Sequence, residues 1–393
     1  MKKLIAILVV FAMVAGATFA ADISAEVFGN VNLAKGTTEK VNDESQDPRA
    51  DGAGNGRIRL SASAESEDGK FGGWARLQAG SYGDTVSAWG IVWWKPLDVL
   101  KLQIGTNGND GEFGLEGVTG WGFYAMPCEV IISNANVWGW GNYLGIPDDS
   151  MCFRNAFYGG FNEGTIVNLT PIEGLAINVG IPNFGDQEVN GKAEYVYKRS
   201  DVQIAYNAEG IGTFGFTYNG GAGFNEDDGI FEITKIFVYV GLNMIEGLGI
   251  DIGFGYPLKL EDVQEPMSIG LGVDYGADAF GVKLRGLAQL GANEYSQTWE
   301  EKTTGILVDI LPYFNISDNL TFFFSAGLGM AMNSDWDENL MGWHVQPYIV
   351  VGNQWSAAFY AGFRIESPMK SAPSSDIDSI TNWSIPLGIT MSF

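Results

Sequence analysis

Apolar and polar residues alternate along most of this chain. Near the start, Ile23, Ala25, Val27, Val31 and Leu33 share one parity, and Ser24, Glu26, Asn30 and Asn32 fill the other. At the end, Trp383, Ile385, Leu387, Ile389 and Met391 alternate with Ser384, Pro386, Gly388, Thr390 and Ser392. The same pattern runs through Ile58–Ala64, Leu100–Ile104, Leu175–Ile181, Leu248–Phe254 and Leu320–Leu328. Successive side chains on a β-strand point to opposite faces, so each run predicts a strand with one apolar face. Outside the first twenty residues, no apolar stripe of helical period with caps appears.

A short turn recurs before several of these strands. Pro96-Leu97-Asp98-Val99, Pro171-Ile172-Glu173-Gly174, Met244-Ile245-Glu246-Gly247 and Ile316-Ser317-Asp318-Asn319 hold equivalent places. Each joins an apolar run to an alternating one, as a tight hairpin does. The other connections are longer and rich in Gly, Asn, Ser and acids, as in 35–56, 182–200, 220–229, 291–303, 331–342 and 366–382. The expected strands are 22–34, 57–65, 71–80, 85–94, 99–105, 163–169, 174–181, 201–208, 212–219, 230–241, 248–255, 266–275, 279–290, 304–314, 319–330, 343–351, 355–365 and 383–393. That makes eighteen, or sixteen if the ragged runs near 163 and 201 are dropped. Short turns at one end and long polar loops at the other predict an all-β, antiparallel, up-and-down transmembrane barrel of 16–18 strands.

The first residues stand apart. Lys2 and Lys3 precede an apolar run from Leu4 to Ala15 and a small-residue stretch ending at Ala20, which predicts a signal peptide over 1–20. Twelve apolar residues are too few to span a bilayer as a helix, which needs roughly 20. The domain reading is therefore a leader over 1–20 and one barrel over 21–393.

Composition sharpens this picture. The 393 residues are 46% hydrophobic and only 18% charged, with 54 glycines. Small lumen residues opposite a lipid-facing apolar set give such an average without any long apolar run. The 22 basic residues face 47 acidic ones; removing the leader takes two lysines and leaves a net charge of −27. That balance excludes a nucleic-acid partner, which needs a basic footprint. Aromatics gather near expected strand ends, Trp93-Trp94 and Tyr313-Phe314 by short turns and Tyr82, Tyr218, Tyr256 and Trp383 by long loops. Interfacial girdles are expected there.

The last strand, alternating from Trp383 to a terminal Phe393, resembles the assembly signal of bacterial outer-membrane proteins. The resemblance implies outer-membrane lipid and the barrel-insertion machinery as partners during biogenesis. The Gly-rich hairpins, acidic balance and Trp-rich loops look like treponemal outer-sheath and porin-like proteins of spirochaetes.

Six basic residues, Arg57, Arg59, Arg76, Lys101, Lys283 and Arg285, take the polar parity of their strands and are expected to point into the lumen. On the lipid face near the midplane each would cost about 2–4 kcal/mol. The same parity argument makes Leu102→Arg disruptive and Gln103→Arg tolerated. The interruption at 106–153 is far longer than the ~12–15 residues at which a loop needs a function. It carries Asp110, Glu112, Glu116, Asp148 and Asp149. General porins resemble this arrangement, with one long loop folded into the channel against a basic wall. They also form trimers, which makes a homo-oligomer an expectation of that resemblance. A surface plug or extra hairpin is the other reading of 106–153. Cys128 and Cys152 lie in the same segment and either form a disulfide, available to an exported chain, or remain free thiols.

Other chemistry finds no support. Asn109-Asp110-Gly111-Glu112 does not complete a calcium loop, because Thr106 and Gly117 would fill its first and twelfth positions. Gly52–Gly56 lacks the spacing and following helix of a nucleotide fingerprint. His344 is the sole histidine, and no Ser sits in G-x-S-x-G. No catalytic set, metal site or cofactor is expected. The reading is an outer-membrane porin that passes ions and small hydrophilic solutes by diffusion. A surface protein whose loops bind host molecules or cations is the alternative.

Overall fold

The computed structural model describes residues 20–37, 40–41, 44–45, 49–79, 86–106, 163–182, 200–220, 224–225, 229–230, 234–258, 267–290, 304–333, 339–353, 356–367 and 381–392. The barrel strands are β1 Ala20–Thr37, β2 Arg49–Glu65, β3 Phe71–Ala79, β4 Val86–Leu97, β5 Leu100–Thr106 and β6 Glu163–Ile172. They continue as β7 Leu175–Pro182, β8 Asp201–Ala208, β9 Gly212–Gly220, β10 Thr234–Ile245, β11 Leu248–Leu258 and β12 Met267–Gly276. The rest are β13 Phe280–Leu290, β14 Thr304–Ser317, β15 Leu320–Met332, β16 Leu340–Asn353, β17 in two pieces, Ala357–Gly362 and Arg364–Ser367, and β18 Asn382–Ser392.

Every strand pairs antiparallel with its chain neighbours. The first and last strands also pair, from Glu26↔Ser392 to Thr37↔Asn382, which closes an eighteen-strand barrel and leaves no sheet edge. Two small ladders, Lys40–Val41 with Glu44–Ser45 and Phe224–Asn225 with Gly229–Ile230, lie in connections at the long-loop end. The strand expected at 230–241 runs instead over Thr234–Ile245. Its apolar residues continue to the Glu246-Gly247 turn, which the alternation alone did not bound.

The short connections all fall at one end. The Glu173-Gly174 and Glu246-Gly247 turns place glycine at φ 78° and 75°, a left-handed backbone that glycine adopts without strain. A register shift accompanies each, between Leu169 and Ile172 and between Leu242 and Ile245. Such a bulge strengthens the local twist that a closed barrel requires.

Adjacent residues show which face is which. Gln103 is 2% exposed and Ile104, next to it, is 59% exposed. Ile252, Leu271, Val308, Leu328 and Ile389 share that outward, apolar parity. The inward parity collects the buried polar groups Arg59, Asn168, Asn178, Gln203, Arg285, Asp309, His344 and Arg364. A water-soluble fold would reverse this arrangement.

The aromatic expectation needs one correction. Trp94 points outward, stacked on Phe71 at 6.3 Å, and Phe280 packs beside Tyr275. With Phe314 they form an outer band near the short turns. Trp93 and Tyr313 face the lumen instead, because each is one residue out of phase with its outward neighbour. Inside β14–β16, Tyr313 meets Phe323 in a tilted pair at 5.6 Å, and Phe323 stacks on Tyr348 at 4.9 Å. Phe323 and Tyr348 join Leu311, Val350, Ala358 and Tyr360 in an internal apolar cluster, so the interior is not lined by small residues alone.

Candidate functional site

The site is the polar inner wall, and the register divides it into three stretches. The first spans β1–β5. Arg59 donates through Nε to Gln78 Oε1 at 2.5 Å and lies 3.9 Å from Glu26. Arg57 sits two residues earlier on the same strand, in register with Phe28. Arg76 donates to Ser61 Oγ at 3.0 Å, with its guanidinium 4.8 Å from the Trp74 ring. Lys101 and Lys95 lie 5.7 and 5.0 Å from the ring of Trp93. Arg59, Arg76 and Lys101 therefore share one wall. Lys95 was missed there, although its parity with Trp93 would have placed it.

The second stretch, over β5–β9, is neutral. Gln103 donates to Asn168, Asn168 to Asn178 at 2.6 Å, Asn178 to Gln203 at 3.1 Å, and Gln203 to Thr217 Oγ1 at 3.4 Å. The last four are direct register partners on successive strands, and all five residues are 1–3% exposed. An amide is both donor and acceptor, so a row of them propagates hydrogen bonds in one direction without any charge. Gln103 is thus embedded, and an Arg there would keep Asn168 Oδ1 as an acceptor but would bury a charge in a neutral row. The expected tolerance of Gln103→Arg does not survive this geometry.

The third stretch is charged. Asp251, Gly272, Arg285, Asp309, Gly327, His344, Glu366 and Asn382 are successive register partners from β11 to β18. Arg285 grips Asp274 with both nitrogens, at 2.5 and 2.9 Å, and Tyr239 donates to Asp251 at 2.5 Å. Arg364 donates to Glu366 at 2.6 Å and to Gln346 at 3.3 Å. A Cβ at Gly272 would meet the Asp251 carboxylate at 3.4 Å and Arg285 Nη1 at 3.5 Å, so glycine leaves the space between them open. Lys283 shares the inward parity of Arg285, in register with Asp274. Pairing of this kind is what permits charge to be buried.

Ser325 Oγ lies 2.9 Å from His344 Nε2, and Asp309 Oδ2 lies 3.9 Å from the same nitrogen. A nucleophile-activating triad needs the acid on the opposite ring nitrogen, orienting the base toward serine. Here both groups approach one nitrogen, so this is a polar cluster and not a hydrolytic relay. Among the described residues no group of His, Cys, Asp and Glu is arranged to hold a metal.

Asp110, Glu112, Glu116, Cys128, Asp148, Asp149, Cys152 and Phe393 lie outside the described residues, as does the predicted leader except Ala20, where β1 begins. Trp383 pairs with Gly36 and Ile365, on the parity of the exposed Ile385.

No family model matches the chain, and no curated protein does. Solved structures do. OpdQ of Pseudomonas aeruginosa superposes with a TM-score of 0.51 at 11% identity, over 96% of this chain and 99% of that one. The outer membrane protein OpdK of the same organism gives 0.50 at 10%, over 95% and 99%. Salmonella typhi OmpF, solved with daunomycin, gives 0.52 at 10%, over 96% and 99%. What is shared is the fold. At these identities none of their side-chain roles transfers, and the inner wall must be read from its own residues.

Proposed function

We propose that the chain is an outer-membrane porin that passes ions and small hydrophilic solutes by passive diffusion. One observation carries this reading: a closed eighteen-strand barrel with an apolar exterior and an interior of charges and amides. Barrels of 16–18 strands are wide enough for an aqueous channel, whereas eight strands fill with side chains. The fold it shares with outer-membrane porin structures supports the same location. Arg57, Arg59, Arg76 and Lys101 form the basic wall, and Lys283 and Arg285 contribute from across the lumen. The acids of 106–153 oppose that wall from a loop folded into the barrel. Cys128 and Cys152 form a disulfide across that loop or stay as free thiols, and the strand from Trp383 to Phe393 directs assembly, as in the outer-membrane proteins it resembles.

The test is planar-bilayer conductance of the folded chain, with reversal potential under a salt gradient. A net charge of −27 predicts weak cation preference, and replacing Arg57, Arg59 and Arg76 with Gln should strengthen it. The difference should shrink in 1 M salt, where the screening length falls to ~3 Å. A folded barrel that conducts nothing would refute the reading.

A further inference from the structure

We infer that Lys95, Lys101 and Trp93 form a binding site for a doubly charged oxyanion, of which inorganic phosphate is the simplest, at the short-turn end of the lumen. The inference deepens the channel reading above, on which it rests, by naming a solute class that the inner wall holds. The three residues stand on the β4–β5 hairpin, Trp93 and Lys95 near the end of β4 and Lys101 next to the start of β5. The Lys95 and Lys101 ammoniums lie 5.0 and 5.7 Å from the centroid of the Trp93 ring. The indole in turn rests against Gly72 of β3, where a Cβ would fall inside the ring.

The inward cations are of two kinds. Arg59, Arg285 and Arg364 are buried and hold Gln78, Asp274 and Glu366. Lys95, Lys101 and Lys283 are half-exposed, within reach of a solute. A carboxylate partner cancels an ammonium's charge. An indole does not, because its face attracts the cation through a quadrupole and leaves the net charge whole. Trp93 is thus a positioning residue that gathers two like charges and keeps both available. Among the described residues Lys95 makes no ion pair. The acids nearby are engaged elsewhere or face away. Asp98, in the turn between the lysines, is exposed and makes no ion pair among the described residues. The Glu65 carboxylate lies by Gly69 in the preceding turn, 3.2 Å from where a Cβ would stand. Two intact charges in one place favour a dianion over a monoanion, because Coulomb attraction scales with the product of the charges. Each ammonium also offers three donors that rotate to meet tetrahedral oxygens. Lys283, nine strands round the ring, has no aromatic ring beside it among the described residues.

The experiment follows the phosphorus NMR linewidth of inorganic phosphate titrated with the folded barrel in detergent, at pH 8 and low salt. Lys95→Gln should weaken binding about tenfold, the loss of a hydrogen-bonded charge. Lys283→Gln removes an equal charge from the far wall and should weaken it about twofold at most, because screening acts across the lumen. Trp93→Leu keeps both lysines and should cost about threefold, whereas Trp93→Phe should retain most of the binding. Equal losses in Lys95→Gln and Lys283→Gln would overturn the site, reducing it to the general charge of the lumen. The wild type alone gives a second arm: sulfate should displace phosphate, and acetate at the same concentration should not. Displacement by acetate as readily as by sulfate also overturns the inference. Binding in detergent needs no conduction, so a barrel that holds phosphate and conducts nothing defeats only the channel reading. One that conducts and leaves phosphate unbound defeats only the site.

Discussion

Two stretches of the same inner wall bury polar groups in opposite ways. Over β5–β9 the groups are neutral, and each amide hands a hydrogen bond to the next strand. Over β11–β17 they are charged, and each arginine is clamped by a carboxylate two residues or one strand away. The amide row needs a donor and an acceptor on every residue, so it consists of Asn and Gln closed by Thr217. The charged row needs only matched pairs and leaves room between them, at Gly272 and Gly327. An amide row resists substitution at every member, because each is both giver and receiver. A paired row resists only at the pairs, and its uncharged positions are spacers. Buried polarity in this barrel is thus tolerated by two chemistries with different weak points.

The largest effect should come from the face both stretches share. Leu271→Arg puts a cation on the outer surface beside the charged row, at a cost of up to about 4 kcal/mol near the bilayer midplane. Urea midpoints of the variant in liposomes, compared with the wild type, measure it. A cost near zero would mean the outer face is not in lipid and that neither row faces a lumen.

Next, Arg285→Met should cost about 3 kcal/mol, at the low end for breaking a buried ion pair because Asp274 keeps some exposure. Adding Asp274→Leu should recover part of it, since the carboxylate that Arg285 holds with both nitrogens is removed together with it. A double variant no more stable than the single would show that Asp274 is satisfied without Arg285.

Within the neutral row, Asn178→Leu should cost about 2 kcal/mol, because it deprives Asn168 of an acceptor and Gln203 of a donor. Here no second substitution restores stability, and that asymmetry with the charged row is the sharper comparison. Rescue of Asn178→Leu by Gln203→Leu alone would remove the distinction between the two chemistries.

The smallest effect lies outside the wall. In the turn after β2, the Ser66 hydroxyl and the Lys70 amide bond the Asp68 carboxylate and hold its pKa below the usual value. A depressed carboxyl contributes stability above its unfolded pKa and loses it as pH falls through the folded one. Protection of the Lys70 amide, the intrinsic exchange rate divided by the observed one, should therefore fall only in acid, and Asp68→Asn should flatten that dependence. An unchanged acid dependence in the variant would assign it to another group.

A barrel of sixteen to eighteen strands was legible from parity and turn spacing, and the inward parity of Arg59, Arg76, Lys101 and Arg285 from alternation; closure at eighteen came from the structure. Period two leaves each residue one of two faces, and a long apolar series on one face excludes the other. Boundaries were less legible where apolar runs crossed a turn, as at Thr234–Ile245. The same blur put Trp93 and Tyr313 on the outer band when their parity is inward. Lys95 was missed for the same reason, as it stands beyond the end of the expected strand at 94.

What the sequence by itself determined is the alternation, and with it the barrel and the two faces of its wall. Which inward residues meet was decided only by the tertiary structure. Gln103, Asn168, Asn178, Gln203 and Thr217 span more than a hundred positions and become a row only through the stagger of five strands. Asp309, Ser325 and His344 likewise converge through register, across Gly327. The physical reason is that alternation sets a residue's face locally, whereas its neighbour across the sheet depends on turn lengths, bulges and the closure of the whole ring.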